Sequence, residues 1–298
     1  MHHALMKKEI ASLRSRLENT GYIADDSLIT TLLLMDQLGR PLLIEGEAGV
    51  GKTEVAKTLA ILHECPLIRL QCYDGLDAST AVYEWNYTHQ LLAMKLQENS
   101  KSPLSDRESR IFSEAYLLER PLLSAIRQPQ SPVLLIDEID RTDEAFEAFL
   151  LELLSDFQVT IPELGTIHAT SLPRVVLTSN ATRELSDALR RRCLYHYLEY
   201  PDKDKELLII RSRMPAVDEH LSRQIVDFVQ CLRKSDLRKR PGIAETLDWS
   251  AALLGMGVDD LKNNLDTIYQ TRACVLKTRD DMEAASKTFL GRLLETIA

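Results

Sequence analysis

Short runs of apolar residues alternate, over the first 200 positions, with stretches that are apolar only at helical spacing. Pro41-Leu42-Leu43-Ile44-Glu45, Leu67-Ile68-Arg69-Leu70, Val133-Leu134-Leu135-Ile136 and Val175-Val176-Leu177-Thr178 are bounded by turn residues and read as buried strands. Val133 to Ile136 is apolar at every position, as a parallel strand covered on both faces should be. Tyr195-His196-Tyr197-Leu198 is a weaker fifth. Between them lie helices. One carries Ile10, Leu13 and Leu17 and breaks at Gly21. A second starts from the capping residues Asp25-Asp26-Ser27 and carries Leu28, Leu32, Met35 and Leu38. A third, Thr53 to His63, turns Val55, Ala56, Leu59 and Ala60 inward. Ile111 to Ile126 reads as helix, and Phe146, Phe149, Leu150, Leu153 and Leu154 share one side of another. Residues 73–98 read as a helical insertion, followed by a polar loop from Asn99 to Ser109. Gln158 to Ile161 and Thr166 to Ala169 form a hairpin through Pro162-Glu163-Leu164-Gly165. Beyond Pro201 strand signals vanish. The pattern predicts a parallel α/β sheet over residues 1–200 and a helical domain over 201–298.

Composition narrows the class. The chain has 298 residues, 45% of them hydrophobic, enough to bury a core without disulfides. Lys and Arg number 36 against 45 Asp and Glu, a net charge of −9, which disfavours a general nucleic-acid binder. No apolar run approaches the length of a membrane span, and the first residues lack the apolar core of a secretory signal. Cys65, Cys72, Cys193, Cys231 and Cys274 show no Cys-x-x-Cys spacing. A reducing cytoplasm and structural thiols are the expectation.

The chemistry lies in four places. Gly46-Glu47-Ala48-Gly49-Val50-Gly51-Lys52-Thr53 fits G-x-x-x-x-G-K-[ST] between a strand and a helix. Glycines let backbone N–H groups approach a triphosphate, Lys52 supplies a cation, and the Thr53 hydroxyl serves Mg²⁺. Asp137-Glu138 directly follow a central strand, where carboxylates face the ligand crevice. Asp137 would hold Mg²⁺ through its water shell, and Glu138 would activate the attacking water. Asn180 ends the next strand and could hydrogen-bond that water or the γ-phosphate; alternatively it is a turn residue. Arg190-Arg191-Arg192 reads either as a solvated face or as a finger reaching a neighbouring subunit's nucleotide, with Arg192 the choice for that role.

The order of phosphate loop, Asp-Glu pair, hairpin, Asn and Arg cluster, then helices, resembles an AAA+ ATPase, and within that superfamily the MoxR family. The segments Pro41 to Thr53 and Leu135-Ile136-Asp137-Glu138-Ile139-Asp140-Arg141 carry the likeness, together with the hairpin before Asn180. The tail Lys239-Arg240-Pro241-Gly242-Ile243-Ala244-Glu245-Thr246-Leu247-Asp248-Trp249 is similar to the subfamily associated with maturation of carbon monoxide dehydrogenase-type molybdenum enzymes. The resemblance implies a P-loop NTPase fold with five core strands ordered 5-1-4-3-2, a C-terminal helical lid, and a ring, usually hexameric, with ATP between subunits. It also implies a partner with a von Willebrand factor A domain and a chaperone role toward a client enzyme. By the family pattern Gly49, Gly51, Lys52 and Thr53 bind phosphate and Mg²⁺, with Glu47, Ala48, Val50 and Glu54 beside them. Tyr22 and Ile23 lie next to adenine, Asp137 and Glu138 form the second Walker motif, Asn180 is sensor one, and Arg192 is the trans finger. One departure stands out. Where many relatives carry a lid arginine, this chain has Gly242. Arg240 is a possible substitute, and Arg233 to Arg240 otherwise reads as a solvated helix end before a proline.

Overall fold

The apolar runs become strands because each can be buried on both faces. In the computed structural model, which describes residues 2–96 and 111–297, they are β1 (Leu42–Glu45), β2 (Leu67–Gln71), β5 (Val133–Asp137), β8 (Arg174–Ser179) and β9 (Leu194–Tyr197). They form one sheet in the order β2-β5-β8-β1-β9. Counting only these five strands, that is the 5-1-4-3-2 order. β1 and β5 run parallel to β8, and β2 runs parallel to β5. The register sets Glu45 opposite Ser179, Ile136 opposite Leu177 and Gln71 opposite Asp137. Leu43, Leu134, Ile136 and Leu177 are buried with Phe146 and Leu150 of the helix Glu144–Asp156.

Two smaller sheets complete the strands. β6 (Gln158–Ile161) and β7 (Gly165–His168) form the expected hairpin, with β7 starting one residue early. β3 (Tyr83–Trp85) and β4 (Leu117–Glu119) pair antiparallel. That pair corrects two expectations: the 73–98 insertion is not wholly helical, and Ile111 to Ile126 is not one helix. Pro121 explains the second. It occupies the first turn of a helix confined to Pro121–Arg127, and the residue before it, Arg120, is extended at φ −93°, ψ 169°. The indole of Trp85, edge-on to Phe112, is buried and holds the pairing in place. The polar loop expected over 99–109 falls outside the described residues.

After Tyr197 the described residues are helical: Lys203–Arg213, Glu219–Arg233, Ile243–Gly255, Leu265–Thr271, Arg279–Ala284 and Lys287–Thr296. Their core centres on Phe228 and Trp249. No helix of the described residues is long and apolar enough to cross a membrane. The chain groups into two compact units whose bounds depart from the 1–200 and 201–298 division. One is Thr30–Glu45 with Ala56–His196; the other joins Met1–Ile29 and Gly46–Val55 to Tyr197–Ala298. The cause is local. Glu54 pairs with Arg213 at 2.7 Å, and Lys205 pairs with Asp25 at 3.2 Å, tying both early segments to the helix Lys203–Arg213.

The core is close-packed, so truncation should be felt at Leu135, which is fully buried, and not at Ile61, which is 62% exposed. Leu135→Ala should cost about 2–5 kcal/mol in urea unfolding, and Ile61→Ala less than about 0.5 kcal/mol.

Candidate active site

The phosphate loop follows β1. Gly49 and Gly51 adopt φ +80° and +99°, in the left-handed region that other residues avoid. A Cβ at Gly51 would meet nothing within 4 Å, so conformation, not crowding, requires that glycine. At Gly46 the reason is space, because the Leu198 carbonyl lies against it. Lys52 is buried, and its ammonium folds back on the loop, donating to the Gly46 and Glu47 carbonyls at 2.8 Å each. Ala48 accepts from the Tyr200 hydroxyl at 3.4 Å, and Val50 is buried. Thr53 and Glu54 lie in the first turn of the helix Lys52–Leu62. Tyr22 belongs to the same unit, beside Ile23. Burial pushes its phenol pKa up, and the carboxylates of Asp25 and Glu54 push the same way. Glycines that open the backbone, an ammonium held on the loop and a hydroxyl at a helix start suit a nucleotide phosphate.

A second group of residues occupies the C-terminal edge of the sheet. Asp137 ends β5 and is 3% exposed. Its Oδ2 accepts from the Arg69 guanidinium (Nε at 3.0 Å, Nη2 at 2.5 Å), and its Oδ1 accepts from Thr178 Oγ1 at 2.5 Å. Thr178 in turn accepts from the Glu138 N–H at 3.0 Å. Glu138 sits at φ +59°, and its carboxylate pairs with Arg141 at 2.8 Å. Asp140 is buried and accepts from Asn180 N at 3.2 Å, Thr182 N at 3.0 Å and Thr182 Oγ1 at 2.7 Å. Those bonds anchor the turn that presents Asn180. Burial alone would raise the Asp140 carboxyl; the Thr182 and Asn180 hydrogen bonds outweigh it and hold the pKa below the ordinary value. Cys72 lies beside this acidic edge. Burial, aided by Asp137, Asp140 and Glu138, pushes its thiol up to about 12 and keeps it protonated.

The arginine run divides. Arg190 turns inward, pairing with the buried Glu45 at 2.8 Å, while Tyr195 donates to the other Glu45 oxygen at 2.9 Å. Arg40 donates to the Arg191 and Arg192 carbonyls, capping the end of the helix Asp187–Arg192. The Arg191 and Arg192 side chains are exposed, and neither guanidinium has a partner among the described residues. Of the basic stretch 233–240, Arg240 is exposed, but Arg233 is not a solvated helix end. It is 6% exposed and bonds both oxygens of the buried Glu206 at 2.6 Å.

The model of the AAA domain (dynein-related subfamily) matches residues 41–193, which span the loop, the Asp-Glu pair, Asn180 and the arginine run. The chain belongs to that family. The chain is 26% identical over 218 residues to an uncharacterised protein of Staphylococcus epidermidis, covering 70% of this chain and 74% of that one. It is 24% identical over 274 residues to the gas vesicle ATPase GvpN of Haloferax mediterranei, covering 86% and 76%. A crystal structure from Cytophaga hutchinsonii overlays with a TM-score of 0.47 at 17% identity, covering 100% of this chain and 99% of that one.

Within the AAA domain, sequence reasoning missed the supporting residues. Arg69, Thr178 and Asp140 reach the edge from positions 40 or more residues away or from within the quoted acidic segment, and only strand register brings them together. No cluster of three or more His, Cys, Asp or Glu suited to a metal exists among the described residues. Thr53 carries a hydroxyl and Asp137 a carboxylate, each a hard oxygen donor of the kind Mg²⁺ takes. Asp140→Ala should destabilise the AAA domain by about 1–3 kcal/mol at neutral pH, leaving three donors unpaired. A depressed folded pKa stabilises above the unfolded value and is lost as pH falls through the folded one. The gap between wild type and variant in chemical unfolding should therefore close as pH drops below about 4.

Proposed function

We propose that this AAA protein is an ATPase of the MoxR type, binding Mg²⁺·ATP at residues 46–54 and hydrolysing it with Glu138. The observation that supports this best is the register of the sheet. Glu45, one residue before the loop, lies opposite Ser179, one residue before Asn180, and Asp137 ends the strand on the other side of β8. Bound Mg²⁺ would neutralise charge on the β- and γ-phosphate oxygens. Lys52 would exchange its two loop carbonyls for phosphate oxygens. Asp137, oriented by Arg69 and Thr178, would accept from the metal's water shell, and Thr53 would lend its hydroxyl. Glu138 would leave Arg141 and take the proton of the attacking water, which Asn180 orients.

The exposed, unpaired Arg192 supports a ring in which it serves a neighbouring subunit's nucleotide. The tail Lys239 to Trp249 supports the reading of a chaperone in metal-enzyme assembly that acts with a von Willebrand factor A partner. Contacts to client or partner are assigned to the β6–β7 hairpin and to the insertion helix Tyr87–Leu96. That helix exposes Tyr87, Leu91, Leu92, Met94 and Leu96.

Glu138→Gln should lower steady-state phosphate release by at least about a hundredfold while nucleotide still binds. Undiminished turnover in that variant would reject the assignment. Wild-type turnover per chain should rise with protein concentration as subunits associate, and Arg192→Ala should remove that rise. A dilute monomer with full activity would contradict the trans role.

A further inference from the structure

We propose that Gly242 and Ile243 latch the phosphate loop through backbone contacts alone, and that this latch sets nucleotide affinity. The effect on affinity rests on the nucleotide reading above; the latch itself does not.

The Ile243 N–H donates to the Gly49 carbonyl at 2.9 Å. The Gly242 and Gly49 backbones meet so closely that neither can carry a side chain without movement. A Cβ on Gly242 would fall 2.6 Å from both the Cα and the carbonyl oxygen of Gly49, and a Cβ on Gly49 would fall 3.0 Å from the Gly242 Cα. Glycine at 242 is thus a requirement of approach, distinct from the left-handed φ that requires glycine at 49.

The segment that delivers the latch is held from behind by a buried charge network. Arg233 donates from Nε to the Pro241 carbonyl at 2.7 Å and grips Glu206 with both terminal nitrogens at 2.6 Å. Thr246 Oγ1 bonds Glu206 at 2.8 Å and the Gly242 carbonyl at 3.1 Å. The Glu245 carboxylate accepts from the Gly242 N–H at 3.0 Å. The Tyr200 ring lies under the Arg233 guanidinium, 5.1 Å away, while its hydroxyl donates to Ala48 of the loop. Arg233 and Glu206 are 6% and 0% exposed, so the pair is desolvated, and removing either partner would strand a charge. Loop and network are therefore joined by direct contacts at Gly49 and Ala48. Fixing the Gly49 peptide removes backbone freedom from the loop before a ligand arrives, and such preorganisation strengthens binding.

A clean test exists because Ile243 is the first residue of its helix. Proline is tolerated there, and Gly242 before it is already extended at φ −86°, ψ −172°. Ile243→Pro removes the latch donor and sets its ring Cδ against the Gly49 carbonyl, opening the latch without breaking the helix. Lys287→Pro, at the first position of the helix Lys287–Thr296, is the control for proline itself. In hydrogen exchange on the nucleotide-free protein, Ile243→Pro should speed exchange across residues 46–53, and Lys287→Pro should not. The dissociation constant for ADP should rise about fivefold to tenfold, as expected for one lost backbone hydrogen bond. Gly242→Ala should act in the same direction, and it serves if the proline variant fails to fold. Unchanged loop exchange in both variants would overturn the latch. Faster exchange with unchanged ADP affinity would overturn its role in binding. A wild type that binds no nucleotide would overturn the proposed function and, with it, the affinity role, leaving the latch to stand on exchange alone.

Discussion

Parallel strands have all their C-terminal ends on one edge, and the apolar core holds those strands in a single register. Leu43, Leu134, Ile136 and Leu177 are buried on the core side, so a one-residue slip would turn each of them over. While that register holds, Asp137, Thr178 and Ser179 fall side by side, and the chain leaves β1 at Glu45 on the same edge. Everything chemical hangs from this. The Asp137 carboxylate can be met by Thr178 because β8 is its neighbour, and by Arg69 because β2 is its neighbour on the other side. Two of the non-glycine residues with positive φ, Glu138 at +59° and Ala181 at +55°, stand just past this edge. Hydrogen bonds from their own amides, to Thr178 Oγ1 and Ser179 Oγ, hold those strained positions.

Much of this was legible in the sequence because the signals are local. An all-apolar run as short as Val133 to Ile136, bounded by turn residues, reads as a covered strand, and a glycine-rich turn ending in Lys-Thr has a narrow set of uses. The hairpin through Pro162 to Gly165 was legible for the same reason. What escaped was non-local. Trp85 is buried only because β4 returns to pair with β3, and a helical period across 111–126 hides the break that Pro121 imposes. Asp140 looks like one more acid in an acidic segment until the β8 turn brings three donors to it.

The arginines make the same point about charge. Arg190, Arg191 and Arg192 are identical in sequence terms, yet helix geometry sends one to the buried Glu45 and leaves two in solvent. Arg233 begins a stretch whose other members are mostly exposed, but it is the buried cation of the helical region. Such a pair adds little net stability once desolvation is counted. Its consequence is placement: it sets where Pro241 and Gly242 run, and so what meets Gly49. A departure that reads in sequence as a missing arginine is, in the fold, a place where a side chain would not fit.

The proposed function depends on residues 46–54 cradling nucleotide phosphate, with Lys52 supplying the cation. Calorimetric titration of Mg²⁺·ATP into wild type and Lys52→Ala tests that most directly. Saturable one-site binding per chain in the wild type, lost in a Lys52→Ala variant that unfolds at the wild-type temperature, is the predicted result. No binding by the wild type, or equal binding by the two proteins, would contradict it.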